Sequence, residues 1–555
     1  MRIQPLGLAL GLATAFILTA LIGVWAAYDR QVAWPRFCLI AAGVAMAVSI
    51  AWAGRRWGEP AWGGIGLGCG LLAGAVGLYF LLANDWQTGA TTKFDFVQRL
   101  GLWVQTHRPA VSLPEDLNGN VAGGALALLL PLGTAGTVWA WRRCKALALA
   151  GGGALTLALA ALFLTASRGA WAGLAGGILV AWAIRWRKAH GWLLAALVVV
   201  PVGLFVAAVA LPGFDRWLGN FGGGGSAVGR AQLWRDGLAL LGDYPFTGGG
   251  LGMTTMVYST YGLLLHVGFT THFHNLFLQV AFEQGLPGLA AFIAMLVIGV
   301  WQAMQGVSSA DGPGRIYPLA AVAALTALVI HGTADAGLYA SRLAPVLFLP
   351  LGFALGIGPV EARPSRTTEI AGLVAASVAL SLLLLPASRA VFRSNLGAVA
   401  QTRAELVIYT WPKIPIQDAL RRSPTVDLAP AIAYYGAALA DAPWLASANR
   451  RLGQIELSRG DYAAAREHLL AAYHSAPDQQ ANRFLLGESY AIAGQVEEAA
   501  ALWRTVGARA WWDEDWIGWQ AFRLRQWWYE SIGEPEKSRR IGVVIEQLSQ
   551  DARAR

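Results

Sequence analysis

What most limits the fold of this chain is a succession of apolar runs, each close to the length of a bilayer-spanning helix. About 20 apolar residues cross the hydrocarbon core as a helix, because a helix satisfies every backbone N–H and C=O within its own segment. Spans are expected near 5–27, 37–53, 61–83, 119–140, 146–165, 169–184, 192–211, 275–303, 318–334, 343–359 and 370–388, eleven in all. The 555 residues are 56% hydrophobic and only 14% charged, which fits a polytopic membrane protein. A net charge of +9 would also suit nucleic acid. The cations, however, sit in short loops between apolar runs, where they set orientation, so membrane lipids and not nucleic acid are the expected surroundings. Alternate loops carry Arg55 and Arg56, then Arg142, Arg143 and Lys145, then Arg185, Arg187 and Lys188, then Arg315, then Arg363 and Arg366. The opposite short loops hold only Arg30, Arg36, Arg168 and Arg342. That bias puts the N-terminus inside, and the loops 84–118 and 212–274 and the region after 389 outside. The first run follows Arg2 and is longer than the apolar core of a cleaved signal, so it reads as a retained helix. Cys38, Cys69 and Cys144 have neither metal-ligand nor disulfide spacing.

The chemistry-bearing residues cluster around Thr271–Gly288, where His272, His274, Asn275 and Glu283 open an apolar run. Ionisable groups at a membrane edge are functional candidates by default; solvated interfacial histidines are the alternative. Arg168, between two runs, must face water, a headgroup or an anion, or snorkel to the interface. The loop 212–274 is too long for a simple connector. Within it, Ala231–Leu241 reads as a short amphipathic helix on which Arg230 and Trp234, four apart, share a face. Arg230 falls near the expected N-terminus of that helix, where free N–H groups favour anions. Arg235 points elsewhere and is a weaker ligand candidate. His331 and Asp335 are also four apart and share a helical face, in a local hydrogen bond or in the site. The loop 84–118 carries turn and cap residues at Asn84–Trp86 and Pro114–Asn118, and either covers the site or only connects helices.

From about 427 the chain becomes Ala-rich, helical and soluble in composition. Leu452-Gly453, Gly460 and Ala465 recur as Leu486-Gly487, Gly494 and Ala499, and Pro443 as Pro477, every offset being 34 residues. That is the tetratricopeptide period. Tyr490 and Gly494 return 39 residues later as Tyr529 and Gly533, a degenerate third unit with a Trp-rich insertion at 511–528. Those aromatics cap the array, stack on sugars or meet the bilayer.

Four ordered pieces resemble the O-antigen ligase/polymerase superfamily, which includes the WaaL ligases, Wzy polymerases and PglL-type O-oligosaccharyltransferases. They are Ser167-Arg-Gly169, Gly229-Arg-Ala-Gln-Leu-Trp234, the glycine-rich Pro245–Gly252, and His274-Asn275 followed by Gly285 and Gly288. The resemblance covers about 160–340. It implies an all-α, GT-C-like transmembrane bundle over 1–388; beyond it a 389–426 linker and, by the 34-residue period, a tetratricopeptide-type α-solenoid over 427–555 are expected. The implied activity is glycan transfer from an undecaprenyl-diphosphate-linked donor to an acceptor hydroxyl on a glycan, lipid or protein, without cofactor or essential metal. By the same resemblance Arg168 and Arg230 hold the diphosphate and His274 is the base; by their placement in the sequence, Arg235, His272, Asn275, Glu283, His331 and Asp335 are candidate supports. Protein partners are expected on the repeat region. Typical ligases lack such a tail, so a lipid A ligase is not specifically implied. A protein O-oligosaccharyltransferase is the alternative within the superfamily. A transporter, or a repeat scaffold for polysaccharide export, is the alternative outside it. A His272–His274 metal pair has no third ligand evident in the sequence.

Overall fold

The computed structural model describes residues 5–87, 94–111, 113, 115–185, six residues between 203 and 211, 224–357, 385–410, 413, 416–507 and 516–553. The described residues are helical, without strands. In the membrane part the helices are α1 (Pro5–Ala26), α2 (Arg30–Trp57), α3 (Glu59–Ala83), α4 (Asp95–His107), α5 (Gly119–Arg143), α6 (Lys145–Leu164), α7 (Arg168–Arg185), α8 (Gly224–Leu241), α9 (Thr254–Tyr261), α10 (Leu276–Ser309), α11 (Ile316–Ala334) and α12 (Leu349–Ile357). Seven described helical segments are long and apolar enough to cross a membrane: α1, α2, α3, α5, α6, α10 and the segment Gly312–Ala334 that contains α11. The chain is therefore a multi-pass membrane protein. The runs expected at 169–184 and 343–359 do form helices, but α7 is bounded by Arg168 and Arg185 and the second is a shorter apolar segment, Ala344–Ile357. The runs expected at 192–211 and 370–388 fall largely outside the described residues.

Two elements form the centre of the bundle. In α5 and in Gly312–Ala334, 78% and 72% of the apolar window is buried, against 33–50% for the other five, whose remaining apolar faces meet lipid. Small residues bring these helices together. A Cβ on Gly136 would lie 1.9 Å from the Leu67 backbone nitrogen, so α3 and α5 touch backbone to backbone. Gly177 of α7 lies as tightly on the Ala323 carbonyl of α11, where a Cβ would sit 2.3 Å away. In lipid, where apolar burial between helices gains little, such close contact supplies the packing energy.

Between α3 and α5 the loop at 84–118 folds into amphipathic α4. Val97 and Gly101 are buried, Gly101 against Trp86, while Phe96, Leu100 and Trp103 form an exposed apolar stripe. Such a helix suits the headgroup level of a bilayer. Helix α10 kinks at Gly285, whose φ of 74° interrupts the helical geometry just before Pro287.

The C-terminal part begins with α13 (Pro386–Leu406), α14 (Gln417–Arg422) and α15 (Ala429–Asp441). Three antiparallel helix pairs follow: α16 (Ala446–Arg459) with α17 (Tyr462–Ser475), α18 (Gln480–Ala493) with α19 (Val496–Gly507), and α20 (Trp516–Ser531) with α21 (Pro535–Arg553). Gly460 and Gly494, 34 residues apart, end the first helices of two pairs at φ 90° and 85°, a conformation glycine adopts without cost. These helices dock on the segment 242–274, at the end of the bundle that carries the histidines.

Candidate functional site

The loop 270–275 bears the two histidines and enters α10. His274 has φ 50°, a left-handed conformation that an L-residue holds only when its surroundings enforce it. The enforcing contacts are visible on each side. The Phe273 N–H donates to Gln279 Oε1 at 3.0 Å, and the Phe273 carbonyl accepts from Trp234 Nε1 at 2.9 Å. Asn275 caps α10 by accepting from the Leu278 N–H at 3.0 Å and donates from Nδ2 to the Thr333 carbonyl at 3.3 Å. The sequence pairing of Arg230 with Trp234 thus has a structural outcome: the Trp member fixes the His loop.

His274 Nδ1 lies 3.0 Å from Asp335 Oδ2. Asp335 also accepts from Asn120 Nδ2 at 3.1 Å and from the Gly337 N–H at 2.6 Å. Burial pushes its carboxyl pKa up, but the His274 hydrogen bond and the neighbouring imidazoles outweigh that and hold it well below the usual carboxylate range. An ionised carboxylate only accepts, so Nδ1 of His274 donates to it; in the neutral tautomer this arrangement selects, Nε2 carries the lone pair. His274 keeps 27% side-chain exposure while Asp335 keeps 3%, so the carboxylate is the fixed member and the ring the accessible one. His272 packs edge-on against His274 at 4.2 Å, and its Nδ1 accepts from the His274 N–H at 3.2 Å. Burial, then the His274 ring, lowers the pKa of His272 to about 4, so it is neutral near pH 7.

Asp335 belongs to the wall of a cavity of about 500 Å³, together with Arg168, Arg230 and His331. Asn84–Trp86 and Asp116–Asn120 belong to the same wall, so both ends of the loop 84–118 line the cavity. Neither Arg168 nor Arg230 makes an ion pair among the described residues. Burial lowers the Arg230 pKa from its ordinary value; Asp335 opposes this and Arg168 adds to it, so the two guanidiniums feel each other. A guanidinium stays protonated through such shifts, so the wall presents two cations. His274 is not itself a wall residue and joins the cavity through Asp335.

Several expected roles change in detail. Asp335 pairs through its side chain with His274 and not with His331 four residues earlier; the i,i+4 spacing yields only the backbone bond from the Asp335 N–H to the His331 carbonyl. His331 is buried between Gly124 and Gly169, and neither ring nitrogen has a hydrogen-bond partner among the described residues. Helix α8 starts at Gly224, so Arg230 lies in its second turn and not at its N-terminus. Arg235 is outside the cavity lining. Glu283 is buried in an ion pair with Arg36 at 3.3 Å and accepts from Gln279 at 2.8 Å, so it braces the His loop through Gln279. Asn120 and Ser167 were not anticipated as a pair: Ser167 donates to Asn120 Oδ1 at 2.9 Å, linking the start of α7 to Asp335. The cap pattern around Asn118 and the Ser167-Arg-Gly169 motif were the available signals.

The fold also supplies the third group that the sequence lacked near the histidines. His272, His274 and Asp335 offer ligand atoms within 4.8 Å of one another, a set able to hold a divalent cation. Two facts weigh against that use. The carboxylate is already satisfied by three hydrogen bonds, and the nearest unpaired charges are guanidiniums, which favour an anion.

Residues 153–293 match the O-antigen ligase family, a segment holding Arg168, Arg230, the glycine-rich loop and His274. The chain is also 26% identical over 255 residues to the exopolysaccharide production protein ExoQ of Rhizobium meliloti, covering 37% of this chain. That match spans 58% of the length of the relative. The matched segment holds Arg168, Arg230 and His274, whereas Asp335, His331 and Asn120 lie outside it; the similarity to the O-antigen ligase family is therefore to part of the chain and of its site.

Proposed function

We propose that this chain is a membrane glycosyltransferase acting at the outer face of a bacterial inner membrane. It takes glycan from an undecaprenyl-diphosphate-linked donor and attaches it to an acceptor hydroxyl. The observation that carries the reading is the Asp335 carboxylate, which holds His274 Nδ1 while lining the same cavity as two unpaired arginines. In the proposed step the acceptor oxygen attacks the anomeric carbon and its proton passes to His274 Nε2. The anomeric C–O bond to the diphosphate breaks with inversion. Charge develops on the departing diphosphate, where Arg168 and Arg230 neutralise it; preorganised donors of this kind typically contribute 10²–10³-fold each. The base contributes about 10²–10⁴-fold. Neutral His272 adds no competing charge beside the base.

Among acceptors, a growing polysaccharide is favoured, because the curated relative is named for exopolysaccharide production. A lipid core and a protein hydroxyl are the rivals. The helix pairs with their 34-residue period read as tetratricopeptide units able to seat assembly partners.

The test is reconstitution of the purified chain in lipid with an undecaprenyl-diphosphate oligosaccharide, products being resolved by gel and mass spectrometry. A ladder without added acceptor is expected for a polymerase; transfer only with a lipid or protein acceptor would replace that assignment. His274→Ala, Arg168→Ala and Arg230→Ala are expected to express normally and to lose at least 10²-fold in transfer. Wild-type turnover by His274→Ala would remove the base from the mechanism.

A further inference from the structure

The glycine-rich segment 244–252 is gripped from both sides, and one side belongs to the C-terminal helices. Asp243, immediately before it, is 1% exposed and lies between Arg450 and Arg451 of α16. Arg450 Nη2 donates to both carboxylate oxygens at 2.6 Å, and Arg451 Nε donates to Oδ2 at 2.9 Å. Burial raises the pKa of this carboxyl, but the two guanidiniums outweigh it and keep it ionised. The next residues are held in turn. Tyr244 OH meets Thr402 Oγ1 of α13 at 2.6 Å and accepts from Arg451 Nη2 at 2.8 Å. The Phe246 and Thr247 N–H groups donate to Asn395 Oδ1 of α13 at 2.9 and 3.1 Å.

On its other side the segment lies on the kink of α10, the helix that His274 and Asn275 open. The Gly249 N–H donates to the Phe282 carbonyl at 2.6 Å, and the Leu286 N–H to the Pro245 carbonyl at 2.8 Å. A Cβ on Gly248 would fall 2.5 Å from the Glu283 carbonyl carbon, and one on Gly285 2.3 Å from the Phe246 carbonyl oxygen. Nothing wider than glycine fits between loop and kink, so displacement of either is transmitted to the other.

We propose that the C-terminal helices brace the active site: Arg450 and Arg451 are positioning residues that, through Asp243, fix the 244–252 segment against the kinked helix that directly follows the His274 loop. The inference that this serves catalysis rests on the function proposed above; the brace itself does not. A chain with a freely tethered accessory tail would keep catalysis when the tail is detached; with the brace in place, detachment is expected to abolish it.

The experiment uses the full-length protein in lipid nanodiscs, with Asp243→Asn, Asn395→Ala as the gentler variant, and Arg451→Lys as the conservative one. Hydrogen exchange is followed in 244–252 and 276–285, with 121–135 of the central helix as the control for global folding. The expected result is at least tenfold faster exchange in both segments with the control unchanged. With it goes an at least tenfold lower kcat at saturating donor, while the donor concentration for half-saturation moves less. Arg451→Lys should recover part of both. Unchanged exchange at 276–285 in Asp243→Asn and Asn395→Ala would overturn the brace. Loosened segments with wild-type kcat would overturn its catalytic role. If the wild type itself transfers nothing from any donor, the proposed function fails, and the exchange measurement still decides the brace.

Discussion

Two sets of charges sit at the same end of the bundle, and their pairing differs. At the junction with the C-terminal helices, Asp243, Glu405, Asp418 and Glu488 meet Arg421, Arg450, Arg451 and Arg525, all at most 4% exposed. Glu405 is clasped by Arg421 at 2.8 Å through two nitrogens, and Arg525 bridges Asp418 and Glu488 at 2.7 and 2.6 Å. Four carboxylates face four guanidiniums, and the cluster is electrically closed. In the cavity, Arg168 and Arg230 have no carboxylate partner among the described residues, and the wall's most buried carboxylate, Asp335, is spent on His274. Charge buried and matched specifies how two parts of a chain sit together. Charge left unmatched at a cavity wall is available to something that arrives.

The largest difference to test is in stability. Asp418→Asn leaves Arg525 and Arg421 without a shared counter-charge, and Ser458 Oγ, 2.6 Å from Oδ1, facing an altered acceptor. Breaking one partner of such a buried network costs about 3–5 kcal/mol. Arg168→Ala removes an unpaired cation and should stay within about 0.5 kcal/mol of wild type. Chemical denaturation of both variants in the same lipid or detergent measures the contrast. Equal losses would mean that the two clusters do the same structural work.

The next effect separates the two carboxylate types by activity. Asp335→Asn keeps the shape but permits the wrong imidazole tautomer at His274, and transfer should fall on the order of 10²-fold with folding intact. The sign of the pH dependence follows from the lowered pKa of Asp335. Its contribution is present above the ordinary carboxylate value and is lost only as pH falls through the depressed one, so mild acid leaves the wild-type pair intact. A pH–rate profile of the two proteins checks this.

Much of this architecture is legible in the sequence, and the exceptions share one cause. Apolar run length locates α1, α3, α5 and α6 to within a few residues, because bilayer thickness fixes helix length. The 34-residue offsets mark Gly460 and Gly494 as turns, because only left-handed geometry recurs so strictly there. Arg168, Arg230 and His274 stand out by charge in an apolar context. Their partners do not. Arg36, just before the expected start of α2, pairs with Glu283, 247 positions away, inside a helix that begins at Arg30 under an Asp29 cap. His274 finds Asp335 across 61 positions, while local spacing pointed to His331. Asp243 meets Arg450 across 207 positions. Periodicity reports what a residue shares with its own helix. It carries no information on which distant helix faces it, and both charge clusters are built from distant pairs.

The smallest effect extends the comparison to a pair that is neither closed nor at the cavity. On the first helix pair, His468 Nδ1 lies 2.7 Å from Glu456 Oε2, with side chains 25% and 18% exposed. The Glu456 hydrogen bond raises the His468 pKa above its ordinary 6.5, against the opposing pull of partial burial. A raised histidine pKa adds stability that is fully present below the unfolded value and disappears as pH rises through the folded one. The C-terminal helices should therefore lose a little stability as pH rises above the ordinary histidine value, within the 0.2–1 kcal/mol of partly exposed pairs. Glu456→Gln should flatten that slope, and moderate salt should weaken it in the wild type. The Asp243 and Glu405 clusters, sealed from solvent, should show no such salt dependence. A salt-sensitive junction would mean that water reaches it, and that the closed cluster is more like the cavity than its burial implies.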